Sequence, residues 1–153
     1  WIDEEKGWYH PIITDFRRTT QPIIRYRLND ILVASKQPCP CGDARESIDS
    51  VMGRSDDVFK LLSTDGSIEL VVPDLIRRAV MQMSDSITAY IAIQKTREAI
   101  EIQLQPDGLT NLSMAGFEQL WNSLSIQPPN IEVLPYTHIP STMKLRRIHR
   151  QCD

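Results

Sequence analysis

The sequence comprises 153 residues, of which 41% are hydrophobic and 24% are charged, and its formal net charge at pH 7 is −3. These proportions are ordinary for a soluble globular protein, and the small negative charge gives no bulk attraction to nucleic acid or to an anionic membrane surface. No apolar run approaches the roughly 20 residues that a membrane-spanning helix needs, and no signal peptide is recognisable.

The first third of the chain reads as strands and loops. Residues 9–14, 23–28 and 31–34 are rich in β-branched and aromatic side chains and show no helical period, which predicts three strands. Pro, Gly and polar residues at 35–44 predict a loop. Three strands without a helix do not easily enclose a core, so we expect residues 1–53 to be the end of a larger domain.

A hairpin and a helix are predicted next. Residues 58–62 and 68–72 are apolar runs separated by a turn with Asp65-Gly66 at its centre, which is typical of a β-hairpin. Pro73 suits the first turn of a helix, and the apolar residues after it repeat with helical spacing as far as Ser84.

The rest of the chain predicts three more strands and a second helix. The strands are expected at residues 87–93, 99–104 and 131–134, and the helix follows a cap at Asn111 or Ser113. The fold class is therefore α+β: residues 54–153 form a small domain with two helices on one face of a mainly antiparallel sheet, preceded by strands from a larger N-terminal domain.

Three short motifs stand out. Residues 25–30 read Arg-Tyr-Arg-Leu-Asn-Asp, residues 53–57 read Gly-Arg-Ser-Asp-Asp, and residues 140–144 read Pro-Ser-Thr-Met-Lys. In this order they resemble the second half of adenylate-forming ligases, most closely the branch of phenylacetate-CoA ligase and the coenzyme F synthetase-like proteins. Such enzymes activate a carboxylic acid with ATP as an acyl-adenylate and then transfer the acyl group to a thiol, usually that of CoA.

The resemblance implies that Asp30 binds the nucleotide, since a carboxylate can accept two hydrogen bonds from a ribose diol. Tyr26, Arg27 and Asp30 match the family pattern, while Leu28 and Asn29 stand where relatives carry Thr and Gly. Asn tolerates a positive φ better than most residues do, so the turn is compatible with this change. The alternative interpretation of Asp30 is an Asp at a strand end that caps a turn.

The Gly-Arg-Ser-Asp-Asp motif resembles the junction between the large and small domains of these ligases. Arg54 is then a fixed cation for ribose or phosphate oxygens, and Asp56 is the hinge that absorbs the backbone rotation between the two half-reactions. The alternative is an ordinary turn with a surface ion pair.

Lys144 resembles the lysine that serves the adenylation step as a point charge at the carboxylate and α-phosphate. Met143 replaces the usual preceding Gly, and the distance from Pro140 is about one residue short of the family spacing. The alternative is a solvated basic tail, since residues 144–153 contain four Lys or Arg and one Asp.

Cys39 and Cys41 flank Pro40 in the predicted loop. Two thiolates one residue apart can share a zinc ion, but a structural zinc site needs four ligands, and His10 is the nearest other candidate. The default interpretation is a reduced loop in a cytoplasmic protein, since the odd count of three cysteines does not suggest a disulfide framework.

The resemblance also implies the cofactors and partners. ATP or AMP with Mg²⁺, CoA or another thiol acceptor, and a small carboxylic acid are expected for the full-length parent; a homodimer is compatible with the family, and neither nucleic acid nor a membrane is expected. The glycine-rich phosphate loop is absent, and the chain starts with Trp1, so we expect an inactive part of a longer protein. Two alternatives remain: a non-catalytic α+β interaction module, suggested by Arg77 and Met143, and an adenylyl transferase that does not use CoA.

Overall fold

The computed structural model describes residues 2–137 and 145–152. The chain separates into two compact units, Trp1–Ser55 and Asp56–Asp153. The predicted boundary between residues 53 and 54 lies two residues before this division. That the first unit completes a larger domain stays a prediction.

Within the described residues there are eleven strands and two helices. The strands are β1 (Trp8–Tyr9), β2 (Ile12–Asp15), β3 (Ile23–Arg27), β4 (Asp30–Ala34), β5 (Ile48–Arg54), β6 (Phe59–Leu62), β7 (Ile68–Val71), β8 (Ala89–Thr96), β9 (Ala99–Gln105), β10 (Asn130–Pro135) and β11 (Ile148–Arg150). The helices are α1 (Pro73–Met81) and α2 (Ala115–Ser123).

The first unit contains two small antiparallel sheets. One has the strand order β1-β4-β5, and the other is the pair β2-β3. Among residues 2–55, Ile31 is the one hydrophobic side chain that is buried. Large apolar side chains are instead exposed on both sheets and the β2–β3 connection: Ile12, Phe16, Ile24, Tyr26, Ile48 and Val51.

The second unit is built on a four-stranded sheet of order β10-β9-β8-β11. The central strands β8 and β9 are antiparallel, with Ala92 opposite Ile102, while each outer strand runs parallel to its neighbour. Alternate residues of β9, namely Ile100, Ile102 and Leu104, enter the core and the residues between them face away, which is the period of a half-buried strand.

Both helices cover the same face of this sheet. Ile76 and Val80 of α1 and Phe117 and Trp121 of α2 belong to one core cluster with the inward residues of β8 and β9. The helices approach closely at Gly116, where a Cβ atom would lie 3.3 Å from the Ala79 Cα of α1 and would also displace the Gln82 side chain. A side chain at this position would therefore need a small shift between the two helices.

A buried amide joins the β6–β7 hairpin to the sheet. Gln94 of β8 is fully buried, and its side chain accepts the Lys60 N–H at 2.8 Å and donates to the Lys60 carbonyl at 2.6 Å. The Gln94 amide also donates to the Thr96 carbonyl, so its polar atoms are satisfied without water.

The α+β prediction with two helices is confirmed, and five of the seven strand pairs in the described residues are antiparallel. Two strands, β5 and β11, were not predicted from the sequence. The predicted first strand is split between β1 and β2 around Pro11, whose missing N–H interrupts pairing. Helix α2 has Met114 rather than Asn111 or Ser113 at its N-cap.

Candidate functional site

Asp30 and Arg54, predicted separately as nucleotide ligands, lie opposite each other on two neighbouring strands of the first unit. Asp30 begins β4, Arg54 ends β5, and the two residues are direct partners in the antiparallel ladder. The Ser55 N–H donates to the Asn29 carbonyl at 2.8 Å, so the pair Asp30–Arg54 occupies a non-hydrogen-bonded position. Facing Cα atoms at such positions lie about 4.5 Å apart and their side chains share one face of the sheet.

The charged groups of this pair are not used inside the first unit. Neither the Asp30 carboxylate nor the Arg54 guanidinium makes a hydrogen bond or ion pair with any residue that the structure describes. Both residues are half-buried, which limits their freedom without withdrawing them from solvent. The main chain of Asp30 is held separately, with His10 Nδ1 lying 3.2 Å from its carbonyl oxygen. The arrangement thus presents an acceptor and a cation side by side.

The glycine that precedes Arg54 has a conformational role. Gly53 has a φ of 112°, in the region that L side chains rarely adopt, and the ladder between β4 and β5 shifts register beside it. A β-bulge of this kind re-aims the following side chain. The glycine of the Gly-Arg-Ser-Asp-Asp motif therefore helps to set the direction of Arg54.

The division between the units falls inside the same motif. Ser55–Asp57 forms a short 3₁₀ turn, and the boundary lies between Ser55 and the exposed Asp56. A single turn at the boundary between two compact units is where a hinge is expected. Asp56 as the hinge itself stays a prediction.

Asp57, the second carboxylate of the motif, has a different environment. Its side chain is only 12% exposed and forms an ion pair with Arg146. Arg150 of β11 donates from Nη1 to the Val58 carbonyl at 2.8 Å. These two contacts fasten the start of the second unit to its C-terminal segment. The sequence analysis missed them, since nothing in the spacing relates positions 89 and 92 residues apart.

Lys144, the predicted catalytic lysine, lies outside the described residues, together with its neighbours from 138 onward. The chain is described again from Leu145, and Arg146 is already bound to Asp57. The guanidinium groups of Arg146 and Arg150 both have partners in the second unit, although the Arg146 side chain remains 48% exposed. Whether Lys144 is catalytic or part of a solvated basic tail stays a prediction.

His149 of β11 lies close to this ion pair. Its Nδ1 is buried and has no hydrogen-bond partner among the described residues. Burial lowers the pKa of His149 below its ordinary value, and the positive charges of Arg146 and Lys95 lower the pKa further, while Asp57 acts in the opposite direction. The net effect of the fold is therefore to favour the neutral imidazole.

The two cysteines of the loop lie together at a turn. Cys39 and Cys41 are free thiols whose Sγ atoms are 2.7 Å apart. The hydrogen bond with the Cys39 thiol, followed by one from the backbone of Asp43, lowers the pKa of Cys41. Residues 2–137 and 145–152 contain no group of three or more His, Cys, Asp or Glu side chains that could hold a metal ion. A zinc site here would need ligands that this part of the chain does not supply.

Arg77, which suggested the non-catalytic alternative, is engaged on the surface of α1. It donates from Nε and Nη2 to the Asp74 carboxylate at 3.0 and 2.8 Å, and Arg78 pairs with the other oxygen of the same carboxylate. The position is therefore used for a local ion-pair cluster at the first turn of a helix, where Asp also complements the helix dipole.

Comparison with known proteins gives a fold relationship. No protein-family model matches the sequence, and no curated protein matches it. The chain resembles the crystal structure of an open conformation of 2-hydroxyisobutyryl-CoA ligase in complex with 2-HIB-AMP and CoA, with a TM-score of 0.51 and 21% identity over 93% of this chain. The same ligase in its thioesterification state matches with a TM-score of 0.34 and 22% identity over 97% of this chain, a value too low for comparing folds.

The chain spans 32% of the length of the ligase chain that it resembles. At 21% identity the likeness is one of fold. No helix among the described residues is long and apolar enough to cross a membrane.

Proposed function

We propose that this chain is the C-terminal portion of an ATP-dependent acid ligase. The full-length parent activates a carboxylic acid, aryl or acyl, as the acyl-adenylate and transfers it to a thiol such as CoA. The observation that carries the proposal is the pairing of Asp30 with Arg54, two motif residues 24 positions apart whose charged groups are directed to one face of a sheet and left without protein partners in the described residues.

The two side chains suit the two halves of a nucleoside monophosphate. The Asp30 carboxylate accepts hydrogen bonds from the ribose diol, and the Arg54 guanidinium donates to ribose or phosphate oxygens. Because the residues face each other at a non-hydrogen-bonded position, one sugar-phosphate unit can contact both. Neither group reacts covalently; both position the nucleotide while the carboxylate substrate attacks the α-phosphate and pyrophosphate leaves.

Asp56 and Lys144 complete the proposal. Rotation about Asp56 moves the second unit between the adenylating and the thioester-forming arrangement, and the unit boundary beside this residue supports the assignment. Lys144 supplies positive charge to the carboxylate and the α-phosphate in the adenylating arrangement. Lys144 lies between β10 and β11 in sequence, and both strands belong to the sheet of the second unit, which supports a lysine that moves with that unit.

The substrates follow from the same resemblance. ATP with Mg²⁺ and CoA are the proposed co-substrates, and a small carboxylic acid is the substrate class. The solved ligase of similar fold was crystallised with 2-HIB-AMP and CoA, which supports the adenylate and the CoA but not the particular acid. The motifs favour the phenylacetate-CoA ligase and coenzyme F synthetase-like branch. The exposed apolar side chains of the first unit support an upstream domain that covers them and completes the active site.

The test is ATP–pyrophosphate exchange by the full-length parent with a panel of aryl and aliphatic carboxylic acids. Acid-dependent exchange that is lost in Asp30→Ala and retained in Asp49→Ala supports the proposal, because Asp49 is an exposed carboxylate on the same pair of strands. Absence of exchange with every acid would favour the non-catalytic interaction module. Exchange without acyl transfer to CoA would favour the adenylyl transferase.

A further inference from the structure

The turn that carries Cys39 and Cys41 has no part in the proposed ligase chemistry. It lies in the connection between β4 and β5, whereas Asp30 and Arg54 occupy the opposite end of that ladder. Both cysteines are free, and their Sγ atoms are 2.7 Å apart. This separation is within about 1 Å of the S–S bond length of about 2.05 Å.

The backbone of the turn keeps the two thiols together. Pro40 occupies the second position of the turn, where its fixed φ is favourable, and the Gly42 N–H donates to the Cys39 carbonyl at 3.0 Å. Gly42 itself has a φ of 80°, which a residue with a side chain would adopt only with strain. The turn therefore holds the two Sγ atoms near the distance at which an S–S bond forms.

The two thiols differ in access. Cys41 is exposed, while Cys39 is half-buried. An incoming disulfide therefore meets Cys41 first, and Cys39 is positioned to attack the product. The remaining cysteine, Cys152, belongs to the second unit and is separate from this turn in sequence.

We propose that Cys39 and Cys41 form a redox-active dithiol, which a low-molecular-weight disulfide such as oxidised glutathione converts to an intrachain disulfide. The Cys41 thiolate attacks one sulfur of the incoming disulfide and expels one thiolate, leaving a mixed disulfide. The Cys39 thiolate then attacks the Cys41 sulfur and expels the second thiolate. The protein loses two electrons and two protons, and the small disulfide gains them as two thiols. This proposal does not depend on the ligase assignment.

The ring closed across one intervening residue is small and exposed, and these properties make a disulfide easily reduced. The bond is therefore expected to open again when reduced glutathione is in excess. The turn then behaves as a reversible modification site, and not as a structural crosslink.

The experiment uses the 153-residue chain incubated with oxidised glutathione, quenched in acid, alkylated and measured by intact and peptide mass spectrometry. The expected product has lost two hydrogens, carries the crosslink within the Cys39–Cys41 peptide, leaves Cys152 alkylated, and regains both thiols in excess reduced glutathione. Cys39→Ser should instead accumulate a stable glutathione adduct on Cys41. Cys152→Ser is the matched control and should react as the unaltered chain does.

Three results would overturn the proposal. The first is a glutathione adduct that persists on Cys41 in the unaltered chain, which would show that Cys39 does not resolve it. The second is a crosslink that includes Cys152. The third is failure of Cys39 and Cys41 to react while denatured chain under the same conditions is oxidised.

Discussion

Asp57 and Arg146 form an ion pair across 89 positions of sequence. The Asp57 side chain is 12% exposed and the Arg146 side chain 48%, so the carboxylate is largely removed from water and the guanidinium is not. Asp57 directly follows the proposed hinge residue, and Arg146 follows Lys144 by two positions. The contact therefore couples the start of the second unit to residues that follow the predicted catalytic lysine closely in sequence.

Replacing Arg146 with Met should destabilise the second unit by about 1–3 kcal/mol, because it leaves the buried Asp57 carboxylate without its partner. Urea unfolding of the chain measures the loss. Arg147→Met is the matched control, because the Arg147 side chain is exposed. Asp57→Asn combined with Arg146→Met should cost less than the sum of the single changes; strict additivity would mean that the two side chains do not interact in solution.

Asp30→Ala in the full-length parent should weaken nucleotide binding by one or two charge-assisted hydrogen bonds, roughly 1.5–3 kcal/mol each. Titration calorimetry with ATP measures the change. Asp30→Asn keeps the shape of the side chain and one acceptor oxygen. Its affinity for ATP should therefore fall between that of the unaltered parent and that of Asp30→Ala. Unchanged affinity in Asp30→Ala would remove the ribose assignment and leave Asp30 as a residue that caps a turn.

Lys144→Ala should impair adenylation about a hundredfold to a thousandfold and affect thioester formation much less, since a cation at the α-phosphate is needed in one half-reaction only. Single-turnover adenylation in the full-length parent, together with thioester formation from supplied acyl-adenylate, separates the two effects. Arg147→Ala, a neighbouring cation, should leave both rates nearly unchanged. Small and equal effects of Lys144→Ala on both steps would contradict the catalytic role.

The second unit should lose stability as the pH falls below the ordinary His pKa of 6.5. The pKa of His149 is lowered in the folded chain, chiefly by burial, so below 6.5 the unfolded chain binds a proton that the folded chain does not, and the free energy of unfolding decreases. Above pH 6.5 the contribution of the neutral His149 to the stability of the second unit is fully present. Urea unfolding between pH 8 and pH 5 checks the slope of this free energy against pH, which His149→Gln should reduce.

Gly53→Ala should destabilise the first unit by about 1–3 kcal/mol, because the φ of 112° is strained for any residue with a Cβ atom. Thermal unfolding of the full-length parent measures the change, and Ser50→Ala on the same strand is the control. Since the bulge beside Gly53 aims Arg54, nucleotide affinity should fall as well. An unaltered melting temperature together with unaltered affinity would show that the bulge is not required.

Local patterns predicted the fold wherever the stabilising contacts are local. The β6–β7 hairpin follows from its Asp65-Gly66 turn, and α1 follows from Pro73 and the apolar spacing after it. The strands that the sequence did not predict depend on partners that are distant in sequence. Strand β5 contains Asp49, Ser50 and Gly53 and alternates poorly, so it is a strand because β4 pairs with it. Strand β11 has three residues and pairs in parallel with β8, more than fifty positions earlier.

The same limit applies to the candidate site. Asp30 and Arg54 were each identified by similarity to family motifs. The ladder between β4 and β5 contains two register shifts, however, and no sequence rule predicts which residues face each other in a ladder with two bulges. Burial of Asp57 beside the exposed Asp56 was equally unpredictable, because the contact of Asp57 with Arg146 joins residues 89 positions apart.

The contacts of Arg146 with Asp57 and of Arg150 with Val58 also mean that the second unit begins and ends at the same place. A domain closed on itself in this way is suited to circular permutation: residues 152 and 56 can be joined by a short linker, and new termini can be opened in the exposed Asp65-Gly66 turn. Such a permuted unit would keep every strand and helix of the second unit intact while separating it from the first unit.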